Sequence, residues 1–155
     1  MTPPAPDRPP SAPRAVILLP VAVLLHQVEE WFWGFPAWIS ATFDTNLSPE
    51  RFLGVNALGL AIFVVGALAA FLSPYMTWVG VSLATLIGVN GLLHSIFSLV
   101  TGSYSPGTVT GLLLYIPLSV LLLRSSAGRL PRAVFAGAVV IGLLLHAFAT
   151  LSALS

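Results

Sequence analysis

The residues best suited to chemistry in this sequence are a histidine and two adjacent glutamates, His26, Glu29 and Glu30, followed by Trp33. The offsets of 3, 4 and 7 from His26 place all four on one face if the segment is helical. Imidazole and carboxylate groups are ligands of zinc, iron and manganese, and His/Glu pairs at helical spacing hold metals in helix bundles. They also serve as general acids and bases. The segment therefore predicts a metal site, a site of proton transfer, or both.

The composition places these ionisable groups in a very apolar chain. Of 155 residues, 57% are hydrophobic and 7% are charged, and the mean hydropathy is +0.96; a soluble domain has about 25% charged residues. A chain of this length has no interior large enough to bury so much apolar surface. The lack of cysteine excludes disulfides and thiolate sites. A net charge of +1 argues against nucleic-acid binding. The composition predicts a membrane protein.

The number of membrane spans follows from the spacing of charges and helix breakers. From Phe52 to Leu123 there are 72 residues without Asp, Glu, Lys or Arg. One helix of that length would measure about 108 Å, whereas a bilayer core is about 30 Å thick. Breakers at 73–74 and 101–107 divide the stretch into three. We predict an all-α bundle of five transmembrane helices, at about residues 15–36, 50–72, 75–100, 107–124 and 132–154.

The ends of the chain and its arginines predict the domain organisation and the orientation. Six prolines in residues 1–14 indicate a disordered tail, followed by a single transmembrane domain over 15–155. Five spans place Arg8, Arg14, Arg124, Arg129 and Arg132 on one side of the membrane and Arg51 on the other. This asymmetry predicts a cytoplasmic N-terminus in a multi-pass membrane protein, and the family resemblance given below implies the bacterial plasma membrane.

Small residues four apart recur within three of the predicted spans. They are Ala84 and Gly88, Gly107 and Gly111, and Ala138 and Gly142. Such pairs allow helices to approach closely in membranes. We expect them at helix–helix contacts.

The remaining polar residues of the spans lie at a common predicted depth. The second to fifth spans contribute Asn56, Asn90, His94, Tyr115 and His146. Counted from the outer ends of the helices, these residues and the first-span cluster lie about six to ten residues deep, or roughly 9–15 Å. A buried charge is costly in a membrane, so the carboxylates require compensation. We predict one polar cavity in the outer half of the bundle.

The segment His26-Gln27-Val28-Glu29-Glu30, inside a first membrane span, resembles the signature of the HXXEE family of small bacterial integral membrane proteins. The later Asn90-xxx-His94, Pro106-Gly107 and His146 resemble recurring positions of that family, so that the similarity covers most of the chain after the tail. The family is uncharacterised, with a suspected metal or catalytic centre. The resemblance therefore implies a site and leaves its reaction open.

These observations assign roles to the polar residues. We expect one divalent transition metal (zinc, iron or manganese), with ligands from His26, Glu29 or Glu30, His94 and His146. The other glutamate would be the general base, and Asn90 would donate a hydrogen bond to the substrate. Residues expected to contact substrate are Trp33, Asn56 and Tyr115. The predicted function is a membrane-embedded, metal-dependent oxidoreductase or hydrolase acting on a lipophilic small molecule, which reaches the site from the surrounding lipid or from the outer face.

Other interpretations of the same residues stay open. The cluster would serve a proton or cation carrier, although the inner half of the bundle offers no continuing chain of polar groups. It would also serve a metal-free structural or assembly subunit, in which His–Glu pairs join helices. Ligation of haem by two histidines would leave the glutamates unexplained. The oligomeric state has no signal in the sequence.

Overall fold

The computed structural model of the chain describes residues 12–154, with the side chain of Leu154 left undescribed. Within this range the fold is all-helical, and short 3₁₀ turns at Arg14–Leu18 and Pro74–Met76 lead into the first and fourth helices. Most of the predicted tail, residues 1–11, lies outside the described range. Ala12 is buried against the core cluster, so the packed part of the chain starts before residue 15. The helices are α1 (Leu19–Phe32), α2 (Phe35–Phe43), α3 (Pro49–Leu72), α4 (Thr77–Thr101), α5 (Thr108–Ala127) and α6 (Arg132–Leu154).

Five of the helical segments are long and apolar enough to cross a membrane. This confirms the predicted number of helices of spanning length, and each segment overlaps its predicted range closely. Insertion into a membrane and the cytoplasmic N-terminus stay predictions. The five segments are Arg14–Phe32, Pro49–Leu72, Pro74–Thr101, Thr108–Ala127 and Arg132–Ala153.

The first span ends earlier than the sequence predicts. Helix α1 stops at Phe32, not at residue 36, because Gly34 adopts a left-handed conformation (φ +71°). Glycine adopts this conformation without the steric penalty that other residues incur. A short helix, α2, follows in the segment expected to be a loop, with Pro36 in its first turn. It brings Phe35 against His94, which is described below.

Helix α4 occupies the centre of the bundle and packs against α3, α5 and α6. A Cβ on Gly88 would collide with Ser119 of α5, and a Cβ on Gly142 of α6 would collide with the backbone of Ser82. Gly111 of α5 approaches the backbone of Gly91 in the same manner. The expected close contacts at Gly88, Gly111 and Gly142 are confirmed, since a Cβ would collide with the facing helix at Gly88 and Gly142 and would be tightly packed against it at Gly111.

Candidate metal centre

Two histidines and one glutamate converge between α1 and α4. Oε1 of Glu30 lies 3.5 Å from Nε2 of His26, one turn earlier on the same helix, and 3.3 Å from Nε2 of His94. All three side chains are buried. Their ligand atoms lie within 4.8 Å of one another. The helical spacing of His26 and Glu30 predicts the first contact, whereas the second exists because α4 packs against α1.

The outward-facing nitrogen of each imidazole is held by a hydroxyl group from the α4–α5 region. Nδ1 of His26 lies 2.8 Å from Oγ1 of Thr110, and Nδ1 of His94 lies 3.1 Å from Oγ of Ser105. The Thr110 hydroxyl is also a hydrogen-bond partner of the Glu29 carboxylate. A hydroxyl that donates to a carboxylate accepts from the imidazole, which favours a proton on Nδ1 of His26. Its Nε2 then presents a lone pair to Glu30.

The inner nitrogen of His26 lacks a conventional partner. Its Nε2 is buried and has no hydrogen-bond partner anywhere in residues 12–154. Two imidazole nitrogens and a carboxylate oxygen, all capable of accepting, therefore face one small volume. Buried lone pairs placed together in this way require a proton or a cation between them.

Two of the three separations between ligand atoms fit a metal ion, and the histidine nitrogens lie within 4.8 Å of each other. Ligands bound to a tetrahedral zinc at about 2.0–2.1 Å are separated by about 3.3 Å, close to the 3.3 and 3.5 Å between Glu30 and the two histidines. The hydroxyl partners of Nδ1 in both histidines also match metal-binding histidines, in which the nitrogen that does not bind the metal usually hydrogen-bonds to a group that orients the ring. Two imidazoles and one carboxylate form a set used by both zinc hydrolases and non-haem iron enzymes.

Aromatic rings and one glycine define the position of the imidazoles. Tyr115 stacks on His26 with ring centroids 4.2 Å apart, and Phe35 of α2 lies 5.4 Å from the ring of His94. Gly107 closes the site from the α4–α5 loop. A Cβ at Gly107 would lie 2.7 Å from Cε1 of His26 and 2.9 Å from Cε1 of His94. Any other residue would displace one ring or both.

Glu29 has a different environment from Glu30. Its carboxylate accepts hydrogen bonds from the backbone N–H groups of Gly107 (3.1 Å), Val109 (3.0 Å) and Thr110 (2.7 Å), and from the hydroxyl of Tyr104. It thus satisfies the free N–H groups at the start of α5, where a negative charge is stabilised by the helix dipole. Burial and the bond to Glu29 raise the pKa of Tyr104 to about 12, so the phenol keeps the proton that it donates. The structure does not bring Glu29 into the cluster of His26, Glu30 and His94.

A cavity of about 190 Å³ adjoins the cluster and collects most of the other predicted residues. His26 and Glu30 form part of its wall, and its volume is about six times the ~30 Å³ that water occupies in the liquid. Oδ1 of Asn90 is buried and has no hydrogen-bond partner among the described residues. The predicted site residues that line this cavity beside His26 and Glu30 are Asn56, Asn90, Tyr115 and His146.

Trp33 does not contribute to this cavity. Its side chain is 67% exposed and packs on Tyr104, beside a shallow depression that also includes Glu29. Although Trp33 shares the helical face of His26, α1 ends at Phe32, and the chain turns away at Gly34. The structure therefore separates Trp33 from the other residues expected to contact substrate.

Several residues of the site carry no distinct signal in the sequence. Ser105 and Gly107 belong to a segment recognised only as a turn, and Thr110 is one of many hydroxyl residues in the chain. Phe35 belongs to a helix that the sequence analysis missed. The sequence does contain one signal for the residues of this turn, which is Pro106-Gly107 beside two serines. Proline and glycine fix the backbone of a turn, so the neighbouring side chains have defined positions.

Comparison with known proteins adds a family. The family described as proteins of unknown function with an HXXEE motif matches residues 17–122, a range that includes His26, Glu29, Glu30 and His94. The chain belongs to the HXXEE family. This HXXEE protein is 30% identical over 111 residues to the uncharacterized protein YrkK of Bacillus subtilis, covering 66% of this chain and 68% of YrkK. No solved structure matches the chain significantly. His146 lies beyond the matched residues, although it faces the same cavity.

Proposed function

We propose that this HXXEE protein is a multi-pass membrane enzyme with one divalent transition metal bound by His26, Glu30 and His94, acting on a lipophilic small molecule. The observation that carries the proposal is the convergence of Nε2 of both histidines on Oε1 of Glu30, at 3.5 and 3.3 Å. Both rings are oriented from outside by hydroxyl groups. A cation neutralises the carboxylate and occupies the lone pairs, which offsets the cost of burying them.

Three protein ligands leave coordination positions open for a substrate. A metal held in this way polarises a bound oxygen group or, if it is iron, supports oxidation. Zinc would favour hydrolysis and iron would favour redox chemistry, so the identity of the metal selects the reaction class. The adjoining cavity supports an enzyme rather than a closed structural site, because it offers space beside Glu30.

The same cavity suggests a different acid–base residue from the one that the sequence predicts. Glu29 accepts hydrogen bonds from three backbone N–H groups at the start of α5 and from the hydroxyls of Tyr104 and Thr110, and is committed to that role. His146 is buried, faces the cavity and is not part of the convergent cluster. We assign the general acid–base role to His146, since imidazole exchanges protons near neutral pH.

A second function, proton or cation transport, has less support. Transport needs ionisable or hydrated groups that continue across the bundle. Towards the other end of α4, the buried hydroxyl of Ser82 bonds to the carbonyl of Ala138, and that of Thr85 bonds to the carbonyl of Val81. These hydroxyls are engaged with the backbone and do not titrate.

Metal analysis of the purified protein tests the proposed function. After growth with zinc, iron, manganese and copper available, the wild-type protein should contain about one equivalent of one metal. Glu30→Gln and His94→Ala should lose it, while Glu50→Gln, an exposed carboxylate at the start of α3, serves as the matched control. Thr110→Val should weaken the metal affinity by about 10- to 100-fold, since it removes an orienting hydrogen bond.

Chelation provides a second readout of the same site. A metal whose free concentration is about 100 times its Kd stabilises the folded protein by about 2.7 kcal/mol. Its removal lowers the free energy of unfolding by that amount. A chelator should therefore lower the Tm of the wild type and leave that of Glu30→Gln unchanged. Folded wild-type protein that contains no metal and takes up none on addition would contradict the metal centre.

A further inference from the structure

The cavity beside the metal cluster is lined by a few polar side chains and many apolar ones, and Gln27, Asn56 and Thr150 are among the polar ones. Its polar groups include Asn90 and His146, together with His26 and Glu30. The apolar remainder of the lining comes from α1, α2, the α2–α3 loop, α3, α4 and α6, and it includes Val23, Ile39, Leu47, Phe52, Phe63 and Leu86. Such a lining fits a molecule with a small polar head and an apolar body.

The polar head must supply a hydrogen-bond donor. Asn90 lines the cavity, and its buried Oδ1 has no hydrogen-bond partner within the described part of the chain. A buried carbonyl oxygen without a donor is unfavourable, and a ligand hydroxyl would satisfy it. No arginine lines the cavity among the described residues, and the sequence contains no lysine. A phosphate or carboxylate head could pair with the proposed metal but, as an acceptor, could not satisfy Oδ1 of Asn90, so this oxygen favours a hydroxyl group.

Small residues of α3 and α6 form one wall of the cavity, and an opening at this wall would face the side of the bundle. Its wall on α3 includes Gly59, and a Cβ at this position would meet nothing within 4 Å. On α6 the wall includes Ala149, Thr150 and Ala153, of which Thr150 is exposed and the two alanines are half-buried. Gly59 lies ten residues after Pro49, about 15 Å along the helix. Such an opening would therefore lie within the apolar length of α3 and away from its ends.

The volume of the cavity limits what it can hold. About 190 Å³ accommodates a head group and a few carbons. A longer apolar chain must extend out of the cavity, and an opening beside Gly59 would lead to the apolar outer surface of the bundle. In a membrane that surface is covered by lipid chains, so a protruding chain stays in an apolar environment.

We propose that the cavity binds a single-chain lipid alcohol, which enters sideways from the membrane between α3 and α6 and places its hydroxyl against Asn90, beside the metal cluster. The proposal rests on the proposed function for its membrane setting and for the adjacent metal. It adds the chemical class of the substrate, the residue that selects it and the route of entry.

Photolabelling in lipid nanodiscs tests this proposal. The probe is dodecanol with a diazirine in its chain, and the comparison probes are its methyl ether and the corresponding dodecanoic acid, neither of which donates a hydrogen bond at pH 8. We expect saturable labelling of α3 and α6 by the alcohol. Labelling by the ether and the acid should be about tenfold weaker, as expected for the loss of one buried hydrogen bond.

Two pairs of proteins locate the site. Asn90→Leu should weaken alcohol labelling about tenfold relative to wild type and retain its metal. Gly59→Leu should block labelling, because its side chain fills the opening. Gly54→Leu is the matched control, since Gly54 lies on the same helix with equal free space at its Cβ position but does not line the cavity. Equal labelling by alcohol and ether, or equal effects of the two glycine variants, would overturn the proposal.

Metal analysis of the same preparations separates this proposal from the proposed function. Selective labelling of a protein without metal would support the lipid-alcohol site and contradict the metal centre. Bound metal without selective labelling would overturn the lipid-alcohol site and leave the metal centre in place.

Discussion

Glu29 and Glu30 are adjacent in the sequence but serve different parts of the structure. Glu30 contacts His26 on its own helix and His94 across the interface of α1 and α4, whereas Glu29 accepts hydrogen bonds from three backbone N–H groups at the start of α5. Consecutive residues on a helix point about 100° apart, so a pair of this kind can contact two different neighbouring helices. One carboxylate is thereby available to a metal, and the other positions the loop and helix that orient the histidines.

Replacement of Glu29 by glutamine should destabilise the protein without removing its metal. Glutamine keeps one acceptor oxygen but loses the charge that strengthens the bonds from the start of α5. We expect a loss of about 1–3 kcal/mol in the free energy of unfolding, measured from the Tm in detergent by tryptophan fluorescence. Glu50→Gln on the exposed first turn of α3 is the control. Loss of metal from a folded Glu29→Gln protein would instead place Glu29 among the ligands.

A pair of glycine substitutions separates backbone strain from damage to the metal site. Gly102 and Gly107 both have positive φ, +62° and +102°, so alanine strains the backbone at either position. Only at Gly107 would the new Cβ also collide with His26 and His94. We expect Gly102→Ala to lower stability by about 1 kcal/mol and to retain metal, and Gly107→Ala to lose metal. Equal metal contents in the two variants would argue against the site.

His146 should be dispensable for metal binding. It faces the cavity but lies outside the convergent cluster of His26, Glu30 and His94. His146→Gln should therefore contain as much metal as wild type when both are analysed by mass spectrometry, whereas His94→Gln should not. Loss of a full equivalent from His146→Gln would make it the fourth ligand, as the sequence analysis predicts.

The orientation in the membrane is open to a direct measurement, because the chain contains no cysteine. Ser103 lies in the α4–α5 loop and Ala127 at the end of α5, and both are exposed. With a cytoplasmic N-terminus, Ser103→Cys should react with a membrane-impermeant maleimide in intact cells, and Ala127→Cys only after lysis. The reverse pattern would place the metal cluster in the cytoplasmic half of the membrane.

The fold class and much of the site follow from sequence patterns that depend on local geometry. The five long helices follow from a run of 72 residues without charge and from its breakers, since helix length and membrane thickness are both set by simple dimensions. The pairing of His26 with Glu30 follows from helical periodicity. The common depth of His94 with these residues follows from counting along the helices.

Only the tertiary structure decided how the ionisable groups are divided. No local pattern distinguishes Glu29 from Glu30, because both are one turn from His26; the choice depends on which helix packs against each carboxylate. The turn at Gly34 and the short helix α2 removed Trp33 from the cavity and brought in Phe35. The hydroxyls of Ser105 and Thr110 reach the histidines only because the α4–α5 loop folds over the end of α1. The sequence thus determined which polar side chains lie at one depth, because depth depends only on the position along each helix. The packing of the helices determined which of these side chains are in contact, because those contacts join segments that are distant in the sequence.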